Sequence, residues 1–269
     1  MTRQPKLSRF TATLDGSSYV VLLSRPSSPS RFATNNYHDT WHIMSDGAGA
    51  AYLARVLWWL SYHRAENSVV VIDEPLLVPN PFDADPSSPI ALFNADTTHL
   101  GRRATDGLRT VLRRKPRSEG TVRLSTAGLS RILDGGPVDA LADRWDVAPQ
   151  RFYLADRING VVRLAARPDL LRAWAVLLAD LGSWLRNGTT FCYLRPTEGF
   201  DRPEGEVQIF EWFDEMVGDA RRARERLFPG LGHQELDDVR RQRIHESLPN
   251  DHIDRSKRRT ATLDGVVRA

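Results

Sequence analysis

The chain has 269 residues, 41% of them hydrophobic and 26% charged, which is the balance of a folded globular protein and long enough for one large or two ordinary domains. The net charge is +3, with a pI near 9.2; of the 37 basic residues all but Lys6, Lys115 and Lys257 are arginine. A single cysteine, Cys192, excludes an internal disulfide and a cysteine-based zinc cluster.

No apolar run approaches the length of a membrane helix, and the N-terminus MTRQPKLSRFTATLDG carries no secretory pattern. The expectation is a cytoplasmic protein without a membrane partner. Residues 10–14 and 19–23 are β-like, with Asp15-Gly16-Ser17-Ser18 as the turn of a hairpin. The Pro-, Ser- and Asn-rich stretch 25–39 reads as a loop.

From Thr40 to Pro75 the pattern is strand, glycine-containing turn, helix, strand. The helix over 49–63 leaves little polar surface, and Val69-Val70-Val71-Ile72 has the composition of a central strand covered on both faces. Five prolines in 75–89 bar a helix or central strand there, so this segment reads as an excursion from the sheet. Ile90–Phe93 is the next strand, and Asp96 is placed to cap a helix over 97–114.

Residues 138–166 admit two readings. VDALADRWDVAPQRFYLADRI (138–158) has the apolar spacing of a helix-turn-helix, whereas the overlapping YLADRI-NG-VVRLAA is a hairpin signal, and the hairpin is favoured. Pro168 then opens an apolar helix to 186, TTFCYLRP forms a strand with Cys192 as a buried thiol, and 206–213 is a strand or a first helical turn. The run Asp219–Arg226 alternates in sign and reads as a solvated, salt-bridged helix face. The hexapeptide TATLDG stands at both 11–16 and 260–265; two copies do not make a repeat architecture.

These elements predict an α/β fold: a mixed parallel/antiparallel sheet with buried helices packed on it and a charged helical C-terminal segment. One domain is expected over 9–230, with a helix and polar basic tail over 231–269.

Three sites follow from motifs. Asp46-Gly47-Ala48-Gly49 resembles the first half of a dinucleotide fingerprint at a helix N-terminus, where free amides hold an anion. Asp73 and Glu74 end the central strand, where α/β proteins place ligands and where acid–base groups would act. Together Asp46, Gly47, Gly49, Asp73 and Glu74 suggest a small anionic ligand, nucleotide-like or phosphorylated. Tyr52 in place of the third glycine weakens the dinucleotide reading, and no phosphate loop accompanies the two acids, which excludes a P-loop ATPase.

The second site is the basic helix carrying Arg102, Arg109, Arg113 and Arg114, suited to nucleic-acid phosphates. The third reading is a non-catalytic subunit, with 75–89 and the tail as contacts to a protein partner. His38, Asp39 and His42 offer metal-ligand atoms without a metal-binding pattern, so no metal is assigned, and no cofactor is implied. Serine-hydrolase and kinase signatures do not occur.

Overall fold

The computed structural model describes residues 4–130, 152–181, 189–194, 205–232 and 234–248. Its strands are β1 (Lys6–Leu14), β2 (Ser17–Ser24), β3 (Ala33–Tyr37), β4 (Thr40–Ser45), β5 (Ser68–Ile72), β6 (Ile90–Asn94), β7 (Gly120–Arg123), β8 (Tyr153–Ile158), β9 (Val161–Ala166), β10 (Thr189–Leu194) and β11 (Gly205–Phe210). Among the described residues five helices accompany them: α1 (Gly47–Tyr62), α2 (Arg102–Arg113), α3 (Pro168–Leu181), α4 (Phe213–Leu227) and α5 (Asp238–Glu246). Two mixed sheets result, of order β7-β1-β2-β5-β6-β9-β8 and β10-β11-β4-β3.

α1 and α3 lie between the two sheets. One core cluster joins them to Leu22, Val70, Ile72, Leu92 and Leu164 on the larger sheet and to Ile43, Leu194, Val207 and Ile209 on the smaller. A helix with apolar walls on both sides must be apolar nearly all round. That explains why Ala50, Leu53, Ala54, Val56, Leu57 and Leu60 are all buried on α1. α2 covers the outer face of the larger sheet through Ala104, Leu108 and Leu112. α4 covers part of the outer face of the smaller through Phe213 and Val217. The α/β class, the central position of β5 and the buried helices agree with the sequence reading.

The strand–helix–strand unit at 40–75 differs from a sheet crossover. β4 belongs to the smaller sheet and β5 to the larger, so α1 links two sheets. α3 makes the reverse passage, from β9 in the larger sheet to β10 in the smaller. The two halves repeat one plan: hairpin, inner helix, strand pair, outer helix. β3-β4-α1-β5-β6-α2 corresponds to β8-β9-α3-β10-β11-α4.

Pairing follows the same symmetry. β10-β11-β4-β3 is antiparallel, parallel, antiparallel, as is β5-β6-β9-β8. Each sheet therefore combines the hairpin of one half with the strand pair of the other. His38 and Asn159, Asp39 and Gly160, Ser45 and Ala166, and Gly47 and Pro168 are separated by equal lengths of chain. His38-Asp39 and Asn159-Gly160 are matching two-residue turns with positive φ at both positions, 50° and 61° against 51° and 74°.

Several boundaries move. α2 begins at Arg102 with Gly101 as its N-cap, because Thr97 and Thr98 turn back onto the Asn94 carbonyl. Residues 33–37, read as loop, form edge strand β3, and 205–210 is a strand. The Asn159-Gly160 hairpin is present, and 153–158, which the competing helix-turn-helix over 138–158 would include, is strand β8; residues 138–151 lie outside the described residues, as does the tail copy of TATLDG.

Candidate functional site: a polar cleft on the smaller sheet

β3, β4 and β11 turn one set of alternating side chains into the core and the other outward. Val207 and Ile209 face inward, so Glu206 and Gln208 face outward, beside His42 on β4 and Asn35 on β3. Outward-facing polar groups on a sheet are usually wet. Here His42 and Glu206 are 7% and 6% exposed, because the wall above them closes in. His42 Nε2 lies 3.2 Å from Glu206 Oε2, and Gln208 Nε2 donates to Glu206 Oε1 at 2.8 Å. The carboxylate is held from one side by an amide and holds the imidazole on the other. With Nε2–H on Glu206, the Nδ1 lone pair of His42 is the acceptor left over.

The wall comes from the Pro-rich excursion and from α5. Among the described residues, Asn35, Asn36, Tyr37, His42 and Gln208 meet Phe82, Asp83, Asp238, Arg241, Gln242 and His245 around a cleft of about 700 Å³. That volume suits a small organic ligand. Asp83 is held within its loop, where its Oδ1 accepts from the Asp85 amide at 2.9 Å. Burial pushes its carboxyl from the ordinary 3.8 up to about 6, with the neighbouring Asp85 charge adding to the shift.

Asp85 anchors the wall. Its Oδ2 accepts from Arg241 at 2.6 Å, and its Oδ1 accepts from the Leu236 amide at 3.0 Å and lies 3.4 Å from Arg224. Arg224 is itself buried and donates to the Ala84, Gly232 and Gln234 carbonyls. The sequence reading of 219–226 as a solvated face is thus corrected at Arg224, whose guanidinium ties α4 and the excursion to the carbonyls of Gly232 and Gln234. Arg222 keeps the expected surface pairing with Asp219.

Asp83 carries a pH signature. A folded carboxyl of raised pKa is protonated in both states at low pH and ionised in both well above 6. Between about 4 and 6 the unfolded chain ionises first, so its contribution to stability declines as pH rises. Asp83→Asn, which retains the acceptor for the Asp85 amide, should gain on the wild type across this interval by up to about 3 kcal/mol. Urea unfolding of both proteins from pH 3.5 to pH 7 reads the difference, and a constant gap would show that Asp83 ionises normally.

The sites nominated by motif lie elsewhere. Asp46 caps α1, its Oδ1 accepting from the Gly49 amide at 2.8 Å. A Cβ on Gly49 would stand 1.7 Å from Ser45 Oγ and 3.2 Å from the Phe32 ring, so the glycine serves helix–strand contact. Asp73 and Glu74 follow β5 on the other sheet. Burial raises the Asp73 carboxyl, which also feels Lys115 just beyond α2. No described hydrogen bond or ion pair joins Asp73 or Glu74 to Asp46, Gly47 or Gly49.

His38 sits in the β3–β4 turn with its ring 4.0 Å from that of Tyr37, while His42 turns to Glu206. Cys192 points inward from β10, its thiol pushed up to about 12 by burial and by Glu206, which suits a core residue rather than a nucleophile. Arg102, Arg113 and Arg114 are exposed around α2, whereas Arg109 is half-buried against the Asn159-Gly160 turn.

His42, Glu206, Asp83 and Arg241 were not singled out as a group by the sequence. The one local signal was the alternation of Glu206 and Gln208 with Val207 and Ile209 on β11. No helix among the described residues is long and apolar enough to cross a membrane. Comparison of the chain with protein-family models, with curated proteins and with solved structures found no match.

Proposed function

We propose that the protein binds a small, uncharged, hydroxyl-bearing ligand of nucleoside or sugar size in the cleft over β3, β4 and β11, and moves a proton on it. The observation that supports this most is the buried His42–Glu206 pair opening onto a cleft whose other wall carries Asp83. The internal symmetry sharpens the argument. Arg163 on β9 occupies the position of His42, Asp156 that of Asn35 and Ala91 that of Glu206. There α2 covers the sheet, and Arg163 is sealed into a bidentate pair with Asp156 and a bond to the Leu100 carbonyl. One half of the molecule closes this position; the other leaves it open with an imidazole and a carboxylate.

Charge argues for a neutral ligand. Arg241 is committed to Asp85 and Asp238, and Asp83 and Glu206 bring further carboxyls. A phosphate would meet these acids without an unengaged arginine to receive it. Asn35, Gln208 and Gln242 provide donors and acceptors for hydroxyls and ring nitrogens, and Phe82 and Tyr37 provide flat apolar faces. The proton would leave a ligand hydroxyl for His42 Nδ1, with Glu206 stabilising the imidazolium. Asp83, near its pKa at mildly acidic pH, would return a proton on the other side.

This keeps the small ligand expected from the sequence, moves it from the strand ends at 46–49 and 73–74 to the outer face of the smaller sheet, and removes its phosphate. Thermal shift against matched nucleosides, their 5′-phosphates and free saccharides tests it. The expected result is stabilisation by a neutral compound, a weaker effect of its phosphorylated form, and loss of most of the shift in His42→Ala. Preference for the phosphate, or a shift indifferent to His42, would contradict it.

A further inference from the structure

We propose that the outer face of α2 is a binding surface for the phosphodiester backbone of a nucleic acid. α2 is seated on the larger sheet by Ala104, Leu108 and Leu112, and its carbonyl at Arg102 accepts from Asn159 in the β8–β9 turn. The face turned to solvent carries Arg102, Arg103 and Arg113, and the chain just beyond carries Arg114, Lys115 and Arg117, all exposed. None of these six forms a side-chain hydrogen bond or ion pair among the described residues. Asp106 is the only acid on the helix.

α4, which holds the corresponding place on the other sheet, shows what an ordinary charged helix does in this fold. Its arginines alternate with Asp214, Glu215, Asp219 and Glu225; Arg222 pairs with Asp219, and Arg224 is buried against Asp85. α2 has no such neutralisation. Unbalanced charge of one sign on a rigidly mounted helix is costly through self-repulsion and is relieved by a polyanion.

The geometry favours a nucleic acid over a membrane. From Arg102 to Arg113 the helix advances about 16 Å, near the rise of five base steps at about 3.4 Å each. The charges are guanidinium groups, which match phosphate oxygens in a two-pronged fashion. The exposed residues of α2 are Arg102, Arg103, Asp106, Thr110 and Arg113, without the large apolar side chains that a helix lying in a lipid interface inserts. Arg109 is a positioning residue: it lies against the Gly160 turn and in the field of Glu235.

Fluorescence anisotropy of the full chain with a labelled DNA duplex and an RNA duplex of the same sequence, between 50 and 300 mM salt, tests the proposal. Binding is expected with a log–log salt slope of about −3 to −4. The fourfold variant Arg102→Gln, Arg103→Gln, Arg113→Gln, Arg114→Gln should lose about 100-fold in affinity at 100 mM salt and flatten the slope by about 3. Arg221→Gln with Arg222→Gln on α4 should leave both quantities unchanged. Preference for either duplex is compatible with the proposal and tells which backbone geometry fits.

No binding at 50 mM salt would overturn it, as would an unaltered fourfold variant or an equal loss in the α4 control. Equal binding to phosphatidylglycerol vesicles, abolished by the same four substitutions, would overturn it in favour of a membrane surface. All four positions are exposed, so an unchanged unfolding temperature separates a lost contact from a lost fold.

Discussion

Asp85→Ala should destabilise the protein by about 3–5 kcal/mol, the cost of leaving buried arginine charge without its counter-ion. Asp85 takes bonds from Arg241 and the Leu236 amide and faces the buried Arg224, so one truncation leaves three donors with a lost partner. The loss is structural before it is functional. The segment that follows Leu236 is α5, which carries Asp238, Arg241, Gln242 and His245 into the cleft wall.

Two comparisons isolate the cause. Asp238 also meets Arg241, at 3.3 Å, but is 98% exposed, and Asp238→Ala should change stability by less than about 0.5 kcal/mol. Asp85→Asn keeps an acceptor for the Leu236 amide and removes only the charge, so it should fall between the two. Urea unfolding of the three variants gives the order. A loss of under 1 kcal/mol in Asp85→Ala would mean that the 83–85 turn does not hold α5.

Gly49→Ala is the second large effect, and its sign is the informative part. An alanine inside a helix normally gains up to about 1 kcal/mol over glycine. Here the added Cβ would meet Ser45 Oγ at 1.7 Å and Ser45 Cβ at 2.5 Å. Ser45 is fully buried, and its hydroxyl donates to the Arg31 carbonyl at 2.5 Å, so it has no room to yield. Overpacking should therefore win, at about 3 kcal/mol.

Removing the hydroxyl does not rescue the variant, since the Ser45 Cβ stays in the way. Gly218→Ala on α4 is the control: the added carbon would meet only the end of the Arg222 side chain, at 3.3 Å, and should gain stability. Equal gains at both positions would show that α1 does not press on β4 as described.

Gly49 shows what spacing leaves open. A glycine just after a strand and opening a helix signals a close backbone approach. That approach is present, to Ser45 of β4 and to Phe32; spacing alone does not say what approaches. Asp46 followed the same logic: its position at a helix start marks a cap, and the cap occupies the amide that an anion would need. Elements whose burial is written in local pattern, such as the largely apolar α1 and the β-branched run 69–72, were legible. So was the Asn159-Gly160 hairpin, since a two-residue turn with both φ positive favours those residues.

The assignment of β4 and β5 to different sheets was not legible. Both are ordinary strands flanking a buried helix, and only the pairing of β4 with β11, far along the chain, decides it. The cleft was hidden for the same reason. His42 and Glu206 carry no mutual spacing signal, and Asp83 and Asp85 lie in a proline-rich stretch that local rules can describe only as irregular. Arg224 was misread because sign alternation along a helix describes its sequence neighbours, not the carbonyls of Ala84, Gly232 and Gln234 that surround it.

We propose that ligand chemistry resides in the cleft over the smaller sheet, and amide and imidazole chemical-shift mapping of the intact chain, during titration with the neutral compound that gives the largest thermal shift, tests this most directly. Concerted shifts are expected at Asn35, His42, Gln208, Arg241 and His245, with the His42 ring among the largest and the α1 N-terminus unmoved. Shifts confined to Gly47, Gly49, Asp73 and Glu74, with His42 silent, would contradict it.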